Sequence, residues 1–391
     1  MKSWPTKKLG EISKIRMGET LIKKDLTGDG VPVYSADSLE KPWGFTSKNK
    51  LEFSRGAIIV GARGTLGSVK LPDDTLFTST QTTIILSPQQ KTVIPAFLFY
   101  YLRKVDFKKL RGGSGIPMLT VTRLNDLQIP FPPPSEQQKI VYVLDSIQEA
   151  IRTQEKIIEK TKELKKSMMA DLFKYGGPSF RKGRKLKKTE IGEIPENWEV
   201  RKIGDLGEII TGKTPSTSVK EYWNGEISFI TPVDFSEQRY VSLSERTITK
   251  KGASKVKILP KDSILVVCIG STIGKIALTS EDCATNQQIN AIICKDDVNS
   301  HYVYYAILLR KAALRSYAGT TAKPILKKSL FEEIQISLPS LLEQREIADI
   351  LQTIDQKIEI EQKKKTLYEE LFKTMLNKLM TGEIRVDNLK L

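Results

Sequence analysis

The feature that most constrains this chain of 391 residues is that it repeats itself. Trp4-x4-Leu9-Gly10-Glu11-Ile12-x2-Ile15-x2-Gly18 returns 194 residues later as Trp198-x4-Ile203-Gly204-Asp205-Leu206-x2-Ile209-x2-Gly212. Thr65-Leu66-Gly67 returns as Thr272-Ile273-Gly274 at an offset of 207. At the same offset, Glu136-Gln137-x2-Ile140-x3-Leu144-x2-Ile147 returns as Glu343-Gln344-x2-Ile347-x3-Leu351-x2-Ile354. Copies this long are not solenoid repeats, whose units run to about 50 residues at most. They read as one duplicated domain. The second copy has gained 13 residues between its Trp198 and Thr272 blocks, where the copies agree least. A kept scaffold with a diverged middle is what a two-headed recognition protein needs.

Each copy has the same internal order. β-branched runs punctuated by glycine come first and read as strands: Ala57–Gly61, Thr83–Leu86, Ser263–Val267 and Ala291–Ile293. A short helix follows, Ala96–Lys104 or His301–Arg315, then a Gly- or Thr-rich loop at 111–115 or 318–321. A proline exit, Phe131-Pro132-Pro133-Pro134 or Leu338-Pro339, leads into one long helix. The organisation expected is two heads at 1–134 and 192–339, long helices at 135–175 and 340–380, a basic linker at 176–191 and a tail at 381–391.

Ser135 and Ser340 stand where N-caps of the long helices belong. Apolar residues then recur mostly at spacings of three and four, as in a coiled-coil seam. In the first helix they are Ile140, Leu144, Ile147, Ile151, Ile158, Leu164, Met168 and Leu172. In the second they are Ile347, Leu351, Ile354, Ile358, Tyr368, Leu371, Met375 and Leu379. Gln154 and Glu361 are polar residues at seam-like positions. Forty residues of helix measure about 60 Å, too long to lie on one small head. Mutual antiparallel pairing buries both seams at once. The fold class expected is therefore α+β: two duplicated α/β domains separated by an antiparallel two-helix coiled coil, with pseudo-two-fold symmetry.

Net charge is +16, and its location says more than its size. The helical segments 135–175 and 340–380 carry +1 and −1, so the whole excess lies outside them. That fits a polyanionic partner. His301 is the only histidine, which removes most Ser-His and Cys-His catalysis; at the start of a helix it reads as a packing or surface residue. Cys268, Cys283 and Cys294 have no CxxC spacing and read as core residues of a cytoplasmic protein. No stretch near the N-terminus has the apolar length of a signal peptide or membrane span. Gly61-Ala62-Arg63-Gly64-Thr65-Leu66-Gly67 lacks the Gly-Lys-Ser/Thr of a nucleotide loop. The Phe131-Pro132-Pro133-Pro134 string lacks the Asn or Asp of an adenine methyltransferase loop and reads as a hinge. No nuclease-type acidic cluster stands out.

Two divergent heads, each followed by a proline exit and a Glu-Gln-x-x-Ile helix, closely resemble the specificity subunits of type I restriction–modification enzymes. The carrying residues are Pro132–Ile140, Pro339–Ile347, the turns ending in Gly67 and Gly274, and the pairs Thr80-Gln81 and Asn286-Gln287. The resemblance implies that each head is a target-recognition domain reading one half of a split double-stranded DNA site. It implies that the helices form the spacer between half-sites and dock two methyltransferase subunits, with motor-nuclease subunits completing the complex. The chain itself would carry no catalytic group, metal or cofactor; AdoMet, ATP and Mg would belong to the partners. Two competing readings are a self-sufficient methyltransferase or nuclease, and a coiled-coil adaptor that does not bind DNA.

Base readout calls for Arg or Lys at guanine and Asn or Gln at adenine, with hydroxyls at either. On expected loops and strand ends, the first head offers Arg63, Thr65, Ser79, Gln81, Arg111 and Ser114. The second offers Ser271, Thr272, Asn286, Gln287, Gln288 and Thr321. In the basic run Arg181-Lys182-Gly183-Arg184-Lys185-Leu186-Lys187-Lys188, Arg181 and Lys182 are candidates for phosphate contact.

Overall fold

The computed structural model describes residues 4–89, 91–110, 118–241, 244–319, 324–387 and 389. The chain forms two compact units. The first comprises Met1–Glu155 and Lys364–Leu391, and the second Lys156–Lys363. Each long helix is therefore divided between them. Each unit is one head plus the beginning of one long helix and the end of the other.

The first head is built on a four-stranded sheet. Its strands are β1 (Ser13–Met17), β2 (Ile58–Gly61), β3 (Val69–Lys70) and β4 (Thr83–Pro88), in the order β1-β4-β2-β3. Ile58, Val60, Ile84 and Leu86 turn one face to a core with Leu9, Leu98 and Leu124; Ile59 and Ile85 turn the other to Tyr34 and Phe77. The two-residue alternation follows from the pleat. A second sheet pairs Val31–Tyr34 with Gly44–Thr46 and, in parallel, with Leu76–Ser79. Helix α1 (Pro95–Lys104) starts on proline, whose missing N–H costs nothing at a first helical turn. A short ladder between Thr6–Lys8 and Gln128–Pro130 closes the head just before helix α2 (Pro134–Tyr175).

The second head repeats this plan. Strands β5 (Gly207–Thr211), β6 (Tyr240–Val241), β7 (Ile264–Val267), β8 (Ile276–Thr279) and β9 (Ile289–Cys294) form one sheet in the order β5-β9-β7-β8-β6. The extra strand β6 falls within the stretch where the second copy gained its residues. Glu199–Lys202 pairs with Gln335–Leu338 ahead of helix α4 (Leu341–Thr381), as Thr6–Lys8 does in the first head. The helix expected at 301–315 is broken: α3 spans Ser300–Leu309, and a further helix spans Lys311–Tyr317. The break falls at Arg310. Its backbone sits at φ −91°, ψ 10°, and its N–H closes a tight turn on Ile307 O at 2.9 Å.

The long helices pair antiparallel within each unit. In the first, Ile140 and Leu144 at the start of α2 pack with Leu379 and Met380 at the end of α4, and Glu155 meets Lys365 at 2.9 Å. In the second, Leu172 and Phe173 pack with Ile347 and Leu351, and Lys165 meets Asp355 at 2.6 Å. Two of the expected seam residues are misplaced. Leu164 is 52% exposed and Leu371 is 44% exposed. Their places are taken by Lys165, held by Asp355, and by Phe372, which meets the ring of Tyr100. Ser135 is not an N-cap either: α2 begins one residue earlier, on Pro134. Glu361 lies inside, 2% exposed, against Lys357. Among the described residues no helix is long and apolar enough to cross a membrane.

Candidate nucleic-acid interface

In each unit two turns lie side by side at the end of the main sheet. In the first unit, β2 runs into the turn Ala62–Ser68. Gly61 N donates to Ser68 O at 2.8 Å, and Gly67 N to Gly61 O at 2.8 Å. Gly64 (φ 75°) and Gly67 (φ 78°) occupy the left-handed region, where a side chain is strained. The second turn, Thr80–Thr82, leads into β4. Ala62 N and Arg63 N both donate to Thr82 O, at 2.8 and 3.1 Å, and so lock the turns together.

The hydroxyls behind these turns are used up inside. Ser79 Oγ lies 2.6 Å from Thr83 Oγ1 and donates to Tyr34 O at 3.0 Å; Thr80 Oγ1 lies 2.7 Å from Thr82 Oγ1. Ser79 is fully buried, so the structure makes it scaffold rather than a reading residue. Arg63, Thr65 and Gln81 are exposed on the outer side. A third segment joins them. Gly18 N donates to Thr83 O, Glu19 N to Ser79 O, and Thr20 Oγ1 to Gln81 Oε1 at 3.0 Å. Thr20 thereby engages the carbonyl end of the exposed Gln81 amide.

The second unit rebuilds the same frame with other side chains. Cys268 N donates to Gln288 O at 2.8 Å, and Gly274 N to Val267 O at 3.0 Å, with Gly270 and Gly274 again left-handed. Gly212 N donates to Ile289 O, Lys213 N to Thr285 O, and Thr214 Oγ1 to Gln287 Oε1 at 2.8 Å. Ser271 and Gln287 are exposed, and Thr272 and Gln288 half-buried. Asn286 is 8% exposed. Its Nδ2 donates to Gln288 Oε1 and its Oδ1 accepts from Gln288 N, so it shapes the turn rather than reading anything. Burial pushes the Cys268 thiol, behind the turn, up to about 12. Burial likewise raises Cys283 and Cys294 to about 12, which suits core residues and not nucleophiles.

Arg111, Ser114 and Thr321 lie outside the described residues. Arg181 is committed internally: it pairs with Asp171 and donates from Nε to Gly176 O at 2.8 Å, which leaves Lys182 as the exposed cation of that pair. Thr20 and Thr214 had been missed. The signal was present, because the repeat continues past the glycines as Gly18-x-Thr20 and Gly212-x-Thr214.

The family model described as "Type I restriction modification DNA specificity domain" matches residues 1–163 and 195–369, once for each copy. The chain belongs to this family. Among its relatives, the type I restriction enzyme MjaIX specificity subunit of Methanocaldococcus jannaschii is 40% identical over 204 residues, about half of this chain (50%) and of that one (47%). The MjaVIII specificity subunit of the same organism is 30% identical over 355 residues, 85% of this chain and 77% of that protein. The fold of the type I specificity family is also seen in the solved S subunit from M. genitalium, with a TM-score of 0.64 at 18% identity and 96% coverage of both chains.

Proposed function

We propose that each unit reads one half of a bipartite double-stranded DNA site through its paired turns, and that the chain directs methyltransferase and motor-nuclease subunits to that site. One observation carries the reading. The two turn frames share their anchoring backbone hydrogen bonds and differ in side chain: Arg63 follows Ala62 in the first unit where Ile269 follows Cys268 in the second, and the second unit's turn is one residue longer. A guanidinium suits guanine O6 and N7, and among the described residues the first frame presents one at a position where the second has an isoleucine. Two copies of one frame with different outward groups suit two different half-sites. Sequence specificity needs no catalytic group on this chain; AdoMet, ATP and Mg belong to the partners in this reading. The paired long helices are the surface on which two methyltransferase subunits dock.

The test is methylation mapping of the assembled enzyme. Each good base contact discriminates by about 1–3 kcal/mol. Arg63→Ala with Gln81→Ala is therefore expected to relax one half of the recognised sequence, at least tenfold, and to leave the other half strict. Equal relaxation of both halves, or none, would refute reading by these turns.

A second prediction concerns spacing. Because the helices pair antiparallel, shortening one alone would leave the other with a surplus turn. A matched deletion of Arg152–Glu155 and Lys364–Leu367 keeps the seams in phase while removing about 6 Å from each helix. With about 3.4 Å per base pair along DNA, the unread stretch between half-sites is expected to shrink by one or two base pairs. A folded variant with an unchanged stretch would show that the helices do not set the spacing.

A further inference from the structure

Among the described residues, the main sheet of the second unit has a strand that its counterpart lacks. β6 runs parallel to β8, with Tyr240 opposite Leu278 and Val241 opposite Thr279, and Arg239 O accepts from Leu278 N at 2.8 Å. This segment carries Arg239 into the space between β8, α3 and α4. The arginine is 8% exposed and reaches the Tyr305 hydroxyl at 3.4 Å, which in turn donates to Asp355 at 2.6 Å. Glu237 pairs with Lys162 at 2.8 Å. A cavity of about 110 Å3 is what remains there.

In the first unit the sheet ends at β3, and the same place is open. A cleft of about 920 Å3 runs over Val69–Asp74, α1 and α2. Its floor carries a similar pair: Tyr100 donates to Asp145 as Tyr305 does to Asp355, with the aspartate about one helical turn earlier and Gln148 in the place of Asp355. Its walls carry Glu40, Asp73, Asp74, Asp145, Glu149 and Glu155 against three cations, in a chain whose net charge is +16. One of those cations, Lys70, is already held by Asp37 at 2.6 Å. At the 207-residue offset, Glu369 takes the place of Lys162.

We propose that this cleft binds an extended basic segment of another protein chain, lying where Gln238–Val241 lies in the second unit. Strand addition at a sheet edge supplies main-chain hydrogen bonds, and side-chain pockets supply selectivity. The second unit shows which groups such a segment needs: an arginine over the Tyr100–Asp145 pair, and a main-chain carbonyl for Leu71 N–H, the counterpart of Leu278. Where the second unit uses Glu237 against Lys162, the occupant carries a cation. Pro72 stands in place of Thr279 and offers no N–H, so the added ladder is as short as the two-residue one in the second unit. The proposal is independent of how the turns read DNA.

The probe is a fluorescein-labelled peptide, Ser-Lys-Gln-Arg-Tyr-Val, which is the 236–241 sequence with Lys in place of Glu237. Its anisotropy is expected to rise saturably with the full chain, and hydrogen exchange at the Leu71 amide to slow when it binds. Asp73→Lys with Glu149→Lys, both exposed positions, is expected to weaken binding at least tenfold. A peptide with Glu in place of the arginine is expected not to bind. Absence of saturable binding, binding indifferent to the double substitution, or unchanged exchange at Leu71 overturns the proposal. Displacement of the peptide by a double-stranded oligonucleotide would assign the cleft to DNA and overturn it equally.

Discussion

Replacing Glu343 with alanine is expected to destabilise the second unit by about 3–5 kcal/mol, the cost of leaving a buried charge without its partner. Glu343 is 1% exposed at the start of α4. It receives both guanidinium nitrogens of Arg184, whose side chain is 8% exposed, and the Trp198 indole N–H at 3.1 Å. Gly177 N adds a fourth donor at 3.0 Å. This carboxylate thus ties together the start of one long helix, the chain leaving the other, and the first aromatic residue of the head. Against a typical domain stability of about 5–15 kcal/mol, that loss is a large fraction. The first unit builds the same joint from Glu136, Arg385 and Trp4, whose indole N–H donates at 3.0 Å. There Arg385 is 25% exposed and keeps some of its hydration. Glu136→Ala should therefore cost less, about 1–3 kcal/mol. Urea unfolding of the full chain, followed separately in each unit by hydrogen exchange, checks the order. Restoration of much of the loss by Arg184→Met in the Glu343→Leu background would confirm that an orphaned charge is the cause. A Glu343→Ala loss below 1 kcal/mol would remove the joint from this account.

The repeat and the Glu-Gln motif were legible in the sequence, but what the motif does was not. Spacing placed Glu136 and Glu343 at helix starts, where an acidic residue is unremarkable. Their partners lie far off in sequence: Trp198 is 145 residues from Glu343, and Arg385 is 249 from Glu136. Nothing local announces such a contact. Distance also hid Arg184, which sits 159 residues from Glu343 in a run that reads as a basic linker and is in fact spent on that carboxylate. The seam failed for another reason. From Ile158 the three- and four-residue rhythm continues through Thr161, Lys165, Met168 and Leu172, but two of those steps are polar. Thr161 satisfies its hydroxyl on Ile157 O at 2.7 Å, and Lys165 satisfies its charge on Asp355. A search for apolar residues skips both and settles on Leu164, which faces water. In the heads, the strands were legible because β-branched runs leave few alternatives. The turns proposed to read DNA were legible only as places: Ser79 and Asn286 have the right chemistry for DNA but are buried, which is decided by neighbours such as Tyr34 and Gln288.

Gly18→Ala is expected to abolish recognition of one half-site while sparing the other, and Gly212→Ala to do the reverse. The argument is steric and rests on the backbone. A Cβ at Gly18 would lie 2.2 Å from Thr80 O and 2.5 Å from Ser79 O. At Gly212 it would lie 2.2 Å from Asn286 O. Neither glycine has a positive φ, so close approach, not a special dihedral, is what demands glycine. A carbonyl in a turn cannot swing aside as a flexible side chain can, so the segment itself must retreat. That retreat breaks the hydrogen bonds from Glu19 N to Ser79 O and from Thr20 to Gln81, or their equivalents at Lys213 and Thr214. Overpacking of this kind costs about 1–3 kcal/mol of stability, which a unit survives. The turn carrying Gln81 or Gln287 loses its position, and the base contacts proposed for it, worth about 1–3 kcal/mol each, would go with it. Methylation of DNA bearing one altered half-site at a time, by the assembled enzyme, should show at least a tenfold loss confined to the half read by the substituted unit. Gly28→Ala is the control. Gly28 has φ 86° but nothing within 4 Å of the added carbon, so alanine there meets only dihedral strain of about 1–2 kcal/mol. Half-site reading should persist in that variant. Loss of reading in Gly28→Ala as well, or equal loss at both halves in Gly18→Ala, would mean that general destabilisation, not the turn frame, controls recognition.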